Sequence, residues 1–389
     1  MKRILTLVIT LLMLFSLVSV FPASKAVAEE DEPNTEISWF VAGMTVGEAK
    51  ATSKAIKYVK HPGCDPLGDD ELISTGDIVV TDNGSYQAWV LGDVAGDGGQ
   101  SVYSYILIKR NYMGTYGFNE IEAFAADINR DGAIDQYDYI LAKRIYFDTF
   151  EIEKPKNSDG VPVLLYHHIL PDEIKDTDKW RGNNITISIS EFRRHMQMLT
   201  DGGYNVVTAE EVVQYVRGEI LLPDKSLMLC FDDGYKSNTY YAAPILREFG
   251  FQATVFAIIN GYMGSYQEVY DSDTLQKITP EDLLPNVDVI DQQCHTYANH
   301  NHLPEQSYEQ IYNDLVIAQN SYHCDYFAYP YGDYSDTVVK AVRDAGFLAA
   351  FSTVERNAVP GDYIFLIPRY TVTSPMKDSD YLKLIAKAD

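Results

Sequence analysis

Residues 227–235 read LMLCFDDGY: five apolar residues run into Asp232 and Asp233, and a glycine follows. Two carboxylates side by side at the end of a buried strand repel, and one of them should hold a proton unless a cation sits between them. The other ligands of such a cation are expected in QCHTYANH, residues 293–300, at His295 and His300. On an ideal helix an i, i+5 pair lies about 140° apart. These two imidazoles therefore converge only if the loop between them is bent or opens a helix, and His302 is a rival second ligand. Two histidines and one aspartate leave a coordination position open for water, as catalytic zinc sites require. The cation would neutralise one aspartate, so that its neighbour stays ionised and accepts a proton near neutral pH.

A second constellation has a different chemistry. Asp127, Asn129, Asp131, Asp135 and Asp138 stand at positions 1, 3, 5, 9 and 12 of a loop with Gly132 at position 6 and the Ala133 carbonyl at position 7. That spacing turns oxygens inward around a tight turn, as calcium needs. The unit is duplicated: DVAGDG at 93–98 returns as DINRDG at 127–132, and YILIKR at 105–110 as YILAKR at 139–144. The first copy has Ala95 and Ser104 at positions 3 and 12, leaving Asp93, Asp97 and Ser101. It is expected to bind calcium weakly or not at all.

The elements that must position these residues follow from periodicity. From Val161 onward apolar runs alternate with amphipathic helices: strands at 162–166, 205–207, 226–231, 253–258, 287–291, 326–329 and 348–351, with helices at 190–199, 209–216, 240–249, 309–322 and 337–345. Such alternation implies parallel strands with covering helices. About seven units suggest a distorted (β/α)7 barrel, with its chemistry at the C-terminal strand ends, where Asp232 and Asp233 lie. Before it come a small α/β module at 36–91 (strands at 37–41, 78–81 and 86–91, a helix at 46–59), the all-α duplicated unit at 92–150 and a polar linker at 151–160.

The N-terminus reads as a secretory signal: Lys2 and Arg3, an apolar run from Ile4 to Phe21, then Ala26-Val27-Ala28 before four acidic residues, with cleavage after Ala28. A secreted, extracellular protein is expected, with no membrane association after cleavage. The chain of 389 residues carries 56 acidic against 31 basic side chains. This argues against nucleic acid or an anionic membrane surface as a partner. Cys64, Cys230, Cys294 and Cys324 show no C-x-x-C spacing, and Cys230 and Cys294 are read as small buried residues.

The duplicated unit at 92–148 resembles a type I dockerin, on the GDV-x-GDG opening, the duplication and the Lys-Arg after each helix. The resemblance implies an EF-hand-like calcium module and a cohesin partner. Residues 161–372 resemble the polysaccharide deacetylases of carbohydrate esterase family 4, the NodB-homology domain, on Cys230-Phe231-Asp232-Asp233-Gly234, His295-Thr296 with His300, and Ala328-Tyr329-Pro330-Tyr331-Gly332. It implies removal of acetyl groups from a polysaccharide, with Asp233, His295 and His300 holding zinc or another divalent metal, Asp232 as base and the Tyr331 N–H at the oxyanion. The family's arginine position is Ala328, which makes Arg369 the candidate to orient the base. The family's late histidine is missing, and Tyr166-His167 resembles the subgroup acting on poly-β-1,6-N-acetylglucosamine. His167 is then the acid that protonates the leaving amine. N-acetyl groups of an N-acetylglucosamine glycan lead as substrate, acetylxylan is the alternative, and a non-catalytic carbohydrate-binding adaptor is the reading from another class.

Overall fold

A computed structural model of the chain describes residues 35–99, 101–266, 271 and 275–386. The expected signal segment lies outside the described residues.

The first layer is a four-stranded sheet in the order β1-β4-β3-β2, from β1 (Thr35–Val41), β2 (Ile56–Lys60), β3 (Ile78–Thr81) and β4 (Ser85–Leu91). The helix expected over 46–59 is shorter. It runs Val46–Thr52, opened by a Thr45/Glu48 capping box, and ends where the Ser53 N–H meets the Ala49 carbonyl. The β-formers Ile56, Tyr58 and Val59 then pair with β3. Helices Val102–Tyr112 and Gln136–Tyr146 of the duplicated unit pack together, with the rings of Tyr105 and Tyr139 stacked at 5.7 Å. Sheet and helices share one core: Ile37, Phe40, Val59 and Val90 join Ile108, Ala125, Ala142 and Ile145.

Residues 151–160 are fixed by specific bonds. Ile152 enters that core. Asn157 donates to the Thr52 carbonyl (3.2 Å) and accepts from the Leu222 N–H (3.0 Å). The Ser158 carbonyl accepts from the Tyr215 hydroxyl at 2.8 Å. The first sheet also reaches the C-terminal part directly, through Trp39 Nε1 on the Gly218 carbonyl at 3.1 Å.

The large sheet contains β5 (Val163–Tyr166), β8 (Asn205–Val207), β9 (Ser226–Asp233), β10 (Ala253–Ala257), β11 (Ile290–Cys294), β12 (Tyr326–Ala328), β13 (Ala349–Phe351) and β14 (Tyr370–Thr371), all paired in parallel. Their order is β13-β12-β11-β10-β9-β5-β14, with β8 on the first residues of β9. The sheet curls into a half-barrel, the shape expected of a distorted (β/α)7 domain. A bridge between Ile367 and Phe351 brings the segment before β14 onto the opposite edge. A separate pair, β6 (His168–Leu170) with β7 (Thr186–Ser188), was not foreseen.

Alternation along β9 sorts the core. Leu227, Leu229 and Phe231 pack with Phe192 and Met196 of helix Ile189–Gly202, while Met228 and Cys230 pack with Val163, Leu165, Phe256 and Phe351. The strand expected over 287–291 lies three residues later. A 3₁₀ turn at Leu284–Asn286 uses up the preceding chain, and Ile290, not Val287, pairs with Ala253. All four cysteines are free; Cys230, Cys294 and Cys324 are buried.

Candidate active site

Asp232 and Asp233 end β9 and are both buried. On a regular strand adjacent side chains point to opposite faces. Asp233 departs from that rule: its φ is +73°, a left-handed conformation that costs a non-glycine residue about 1–2 kcal/mol. Gly234 continues the turn at φ +64°, and a Cβ there would sit 2.6 Å from the Cβ of Ala257. The turn gives each carboxylate its own partners.

Asp232 faces Arg369, whose side chain is fully buried. Nη1 and Nη2 donate to Oδ1 and Oδ2 at 2.7 and 2.9 Å, and Nε donates to the Ser352 carbonyl at 2.9 Å. Burial pushes the Asp232 carboxyl up, but the guanidinium, with His295 and His167, outweighs it and holds the group below its usual range. So the doublet does not share a proton: the first member is ionised through a bidentate pair. The arginine that the resemblance places at Ala328 is supplied from a different strand end.

Asp233 faces the histidines. Its Oδ1 lies 3.7 Å from His295 Nε2 and 3.1 Å from His300 Nε2. Burial raises its carboxyl, and His300, His295 and Lys277 more than reverse this, leaving it well below the usual carboxylate range. One ligand atom from each of Asp233, His295 and His300 falls within 4.8 Å of the others, which no other group of three His, Cys, Asp or Glu does among the described residues.

The donor chemistry fits a divalent transition metal. His295 Nδ1 donates to the Ala328 carbonyl at 2.8 Å, which leaves the lone pair on Nε2. Burial lowers the His295 pKa to about 4, so the ring is neutral at pH 7. Hydrogen-bonded neutral imidazole beside an ionised carboxylate is a zinc-type donor set. Ala328 thus keeps a role at this position through its backbone.

The bend that brings His300 back is built by Asp314, on helix Tyr308–Ser321. Its carboxylate accepts the N–H groups of Tyr297, Ala298 and Asn299 at 2.8, 3.0 and 3.1 Å. The i, i+5 spacing converges for that reason, and nothing local in the sequence announces it. His302 turns away: its Nδ1 pairs with Asp333, and its ring stacks on Tyr331 at 4.5 Å.

Tyr331 has φ +58°. Gly332 beside it leaves no room for a side chain, since a Cβ would fall 1.8 Å from Thr353 Oγ1. His167 leaves β5 at the same mouth. Burial lowers its pKa, and the charges of Asp232 and Asp233 oppose the shift. Its carbonyl accepts from Asn238 Nδ2 at 2.8 Å. His168 packs instead between Trp180 and Tyr235, with ring centroids 5.1 and 5.0 Å away. Lys277 was not foreseen: its Nζ donates to the Asp233 carbonyl at 2.8 Å and lies 3.9 Å above the Tyr235 ring. It comes from a segment without any periodic signal.

The loop at 127–138 is arranged differently. Asp127 accepts the N–H groups of Asp131 and Gly132. Asn129 donates to Asp131, and Asp131 accepts from the Ala133 N–H. Asp135 caps the following helix. Asp138, fully buried, accepts from Ile128, Asn129 and Asp135 N–H groups.

Residues 221–350 match the sequence profile of the family described as polysaccharide deacetylase. The chain is 25% identical over 231 residues to the Bacillus subtilis protein YxkH, which bears the name of a polysaccharide deacetylase; the match covers 59% of this chain and 76% of YxkH. It is 25% identical over 203 residues to the poly-β-1,6-N-acetyl-D-glucosamine N-deacetylase of Staphylococcus aureus, covering 49% of this chain and 69% of that protein. The solved structure of the Streptococcus pyogenes deacetylase PplD in complex with acetate, 22% identical, matches with a TM-score of 0.51 over 59% of this chain and 99% of that one, a likeness of fold. The stretch that matches the polysaccharide deacetylase profile, residues 221–350, is the one that holds the carboxylate doublet and both histidines of the site.

Proposed function

We propose that the protein is a secreted, metal-dependent deacetylase that removes N-acetyl groups from an N-acetylglucosamine-containing glycan. The observation that carries this is the meeting of Asp233, His295 and His300 beside an Asp232 kept ionised by Arg369. Zinc, or another divalent transition metal on those three residues, supplies a Lewis acid and makes water more acidic. Asp232 accepts the proton of the attacking water, which adds to the acetyl carbonyl carbon. Arg369 holds both oxygens of that base, so it cannot rotate out of line. The Tyr331 N–H donates to the oxygen as it gains negative charge. His167 gives its proton to the leaving nitrogen as the C–N bond breaks, releasing acetate and a free amine.

The Tyr166-His167 pair and the likeness to the staphylococcal N-deacetylase support the N-acetyl substrate. The dockerin-like unit favours a second reading, O-deacetylation of acetylxylan. In either case residues 92–150 serve as a calcium-dependent docking module for a cohesin, with Asp127, Asn129, Asp131, Ala133, Asp135 and Asp138 as the ion's ligands. Exposed Tyr103, Ile106, Tyr137 and Ile140, at matching positions of its two helices, support a partner there. The signal at residues 1–28 supports secretion.

Acetate release from acetylated chitooligosaccharides, poly-N-acetylglucosamine and acetylxylan tests the proposal. Chelation should abolish release, and Asp232→Asn should lower it by roughly 10²–10⁴-fold. Zinc-loaded protein silent on all three substrates would leave the adaptor reading in its place.

A further inference from the structure

The mechanism leaves unused a cation that touches the candidate metal ligand Asp233. Asp233 and Gly234 are both left-handed, at φ +73° and +64°. Their two carbonyls are met from one segment: the Ile278 N–H donates to that of Gly234 at 2.9 Å, and Lys277 Nζ to that of Asp233 at 2.8 Å. The segment is also tied to the chain just beyond the turn. Tyr235 and Lys277 form an antiparallel bridge, and the Lys236 N–H donates to the Gln276 carbonyl at 2.8 Å. Lys277 is thus pinned through the backbone on either side.

Gly261 makes room for the Lys277 side chain. A Cβ at Gly261 would fall 2.9 Å from the Lys277 Cβ and 2.7 Å from its Cγ, so a side chain there would block the stem. The ammonium ends 3.9 Å from the centre of the buried Tyr235 ring, with the Asp233 carbonyl as its hydrogen-bond acceptor. A desolvated ammonium costs free energy unless acceptors or ring faces answer it. Here the acceptor is the backbone of a candidate metal ligand. A left-handed residue at a strand end falls out of the ladder's register, so its carbonyl needs a donor of its own. Lys277 is that donor.

We infer that Lys277 is a positioning residue of the metal site: its ammonium holds the Asp233 carbonyl, and with it the turn that brings the Asp233 carboxylate to His295 and His300. The inference rests on the deacetylase reading for the metal those three residues hold; the anchor itself is a matter of geometry. A second role for the same group has the opposite sign. As a charge alone, an ammonium beside the site repels a divalent cation, and its removal would tighten metal binding. As an anchor, its removal loosens metal binding, because the carboxylate is no longer held in place.

Zinc affinity of the full chain, read by competition with a chromophoric chelator, separates the two. Lys277→Met keeps the stem beside Gly261 and removes the donor. It should weaken zinc binding about 10–100-fold, the usual effect of losing the partner behind a metal ligand. Lys277→Arg, which restores a charged donor, should return it to within about fivefold of wild type. In cobalt-substituted protein the visible absorption band, which follows ligand geometry, should change in Lys277→Met and return in Lys277→Arg. Urea midpoints of the metal-free samples check that each variant is folded. Should Lys277→Met not fold, Lys277→Gln, whose amide ends one bond short of the carbonyl, takes its place with the same loss expected. Unchanged or tighter zinc binding in the donor-less variant overturns the inference, as does a lowered urea midpoint with zinc affinity and cobalt band unaltered, which makes Lys277 structural only. Equal losses in Lys277→Met and Lys277→Arg overturn it too, and so does wild-type protein that binds no zinc. Acetate release on the same samples separates the two claims. Zinc weakened in Lys277→Met, with no acetate released by zinc-loaded wild type, sinks the deacetylase reading alone. Release by wild type, with zinc affinity unchanged in Lys277→Met, sinks the anchor alone.

Discussion

Two acid-rich turns in this chain, 232–234 and 127–138, look alike as strings of aspartate and glycine and are built on opposite plans. At the end of β9 the carboxylates are buried and answered by side chains: Arg369 for Asp232, two imidazoles for Asp233. In the surface loop the acids are answered mostly by backbone N–H groups. The first copy of that loop goes further. Asp93, fully buried, accepts the N–H groups of Asp97 and Gly98 and also of Thr75, in the neighbouring sheet layer. Ser104 accepts the Ala95 N–H, as Asp138 accepts that of Asn129. With Ala95 and Ser104 in place of Asn129 and Asp138, the first copy thus keeps a comparable hydrogen-bond frame. A metal site with strong chemistry needs donors already freed from the backbone and converging; a turn held by its own amides can keep its shape with a reduced ligand set.

The comparison breaks first at Asp233. Asp233→Ala should remove zinc binding and lower acetate release by at least about 10³-fold, since it takes away the charged ligand of a three-residue set. Asp127→Ala, its counterpart in the surface loop, should leave release within about twofold, because nothing from that loop enters the barrel mouth. Parallel assays of zinc content and acetate decide this, and equal losses would mean the two turns are not independent. Next in size is Arg369→Met, which leaves Asp232 buried without its partner and should cost about 3–5 kcal/mol, seen as a lower urea midpoint. Adding Asp232→Asn should recover part of that loss, because the stranded charge is gone.

Legibility followed contiguity. FDDG, HTY and YPYG are short runs, and their order along the chain is enough to suggest a shared site. Arg369 was reachable because the family resemblance puts its arginine position at Ala328, which leaves another residue to orient the base. What stayed hidden depends on long-range contact. Asp314 bends the histidine loop from a helix 14 residues past His300, and helical periodicity gives no hint that this residue faces a loop. The left-handed turn at Asp233 is equally silent, since aspartate tolerates that conformation but adopts it in only a minority of its occurrences. In the first sheet layer, helix propensity carried the expected helix past Ser53 into residues whose side chains fit a strand better. At β11 the apolar Val287 drew the expected strand three residues early, although it is exposed.

Acid sharpens the contrast between a buried interior and an exposed turn. His195, on helix Ile189–Gly202, is fully buried, stacks on Tyr381 at 3.9 Å and meets the Tyr166 hydroxyl through Nδ1 at 3.3 Å. Burial lowers its pKa from 6.5 to about 3. The unfolded chain therefore binds the proton more readily than the folded one. Its contribution is whole above pH 6.5 and is lost as pH falls towards 3, by about 2 kcal/mol at pH 5. Urea midpoints taken between pH 7 and 5 should show that decline in wild type and a shallower one in His195→Phe. Identical slopes would assign the acid sensitivity elsewhere.

The smallest effect separates the two copies of the loop. Asp138 receives three N–H groups on a buried carboxylate, whereas Ser104 receives one on a hydroxyl. Asp138→Ala strands those amides and should cost about 1–3 kcal/mol locally, against about 0.5–1.5 for Ser104→Ala. Hydrogen exchange resolves this, because opening of the turn exposes the Ile128 and Asp135 amides in one case and that of Ala95 in the other. Calcium should slow exchange at Ile128 in wild type, do so less in Asp138→Ala, and leave Ala95 unaffected. If calcium slows Ala95 as strongly as Ile128, the degenerate copy still takes the ion. The hydrogen-bond frame would then be a resting state of both loops and no substitute for lost ligands in the first.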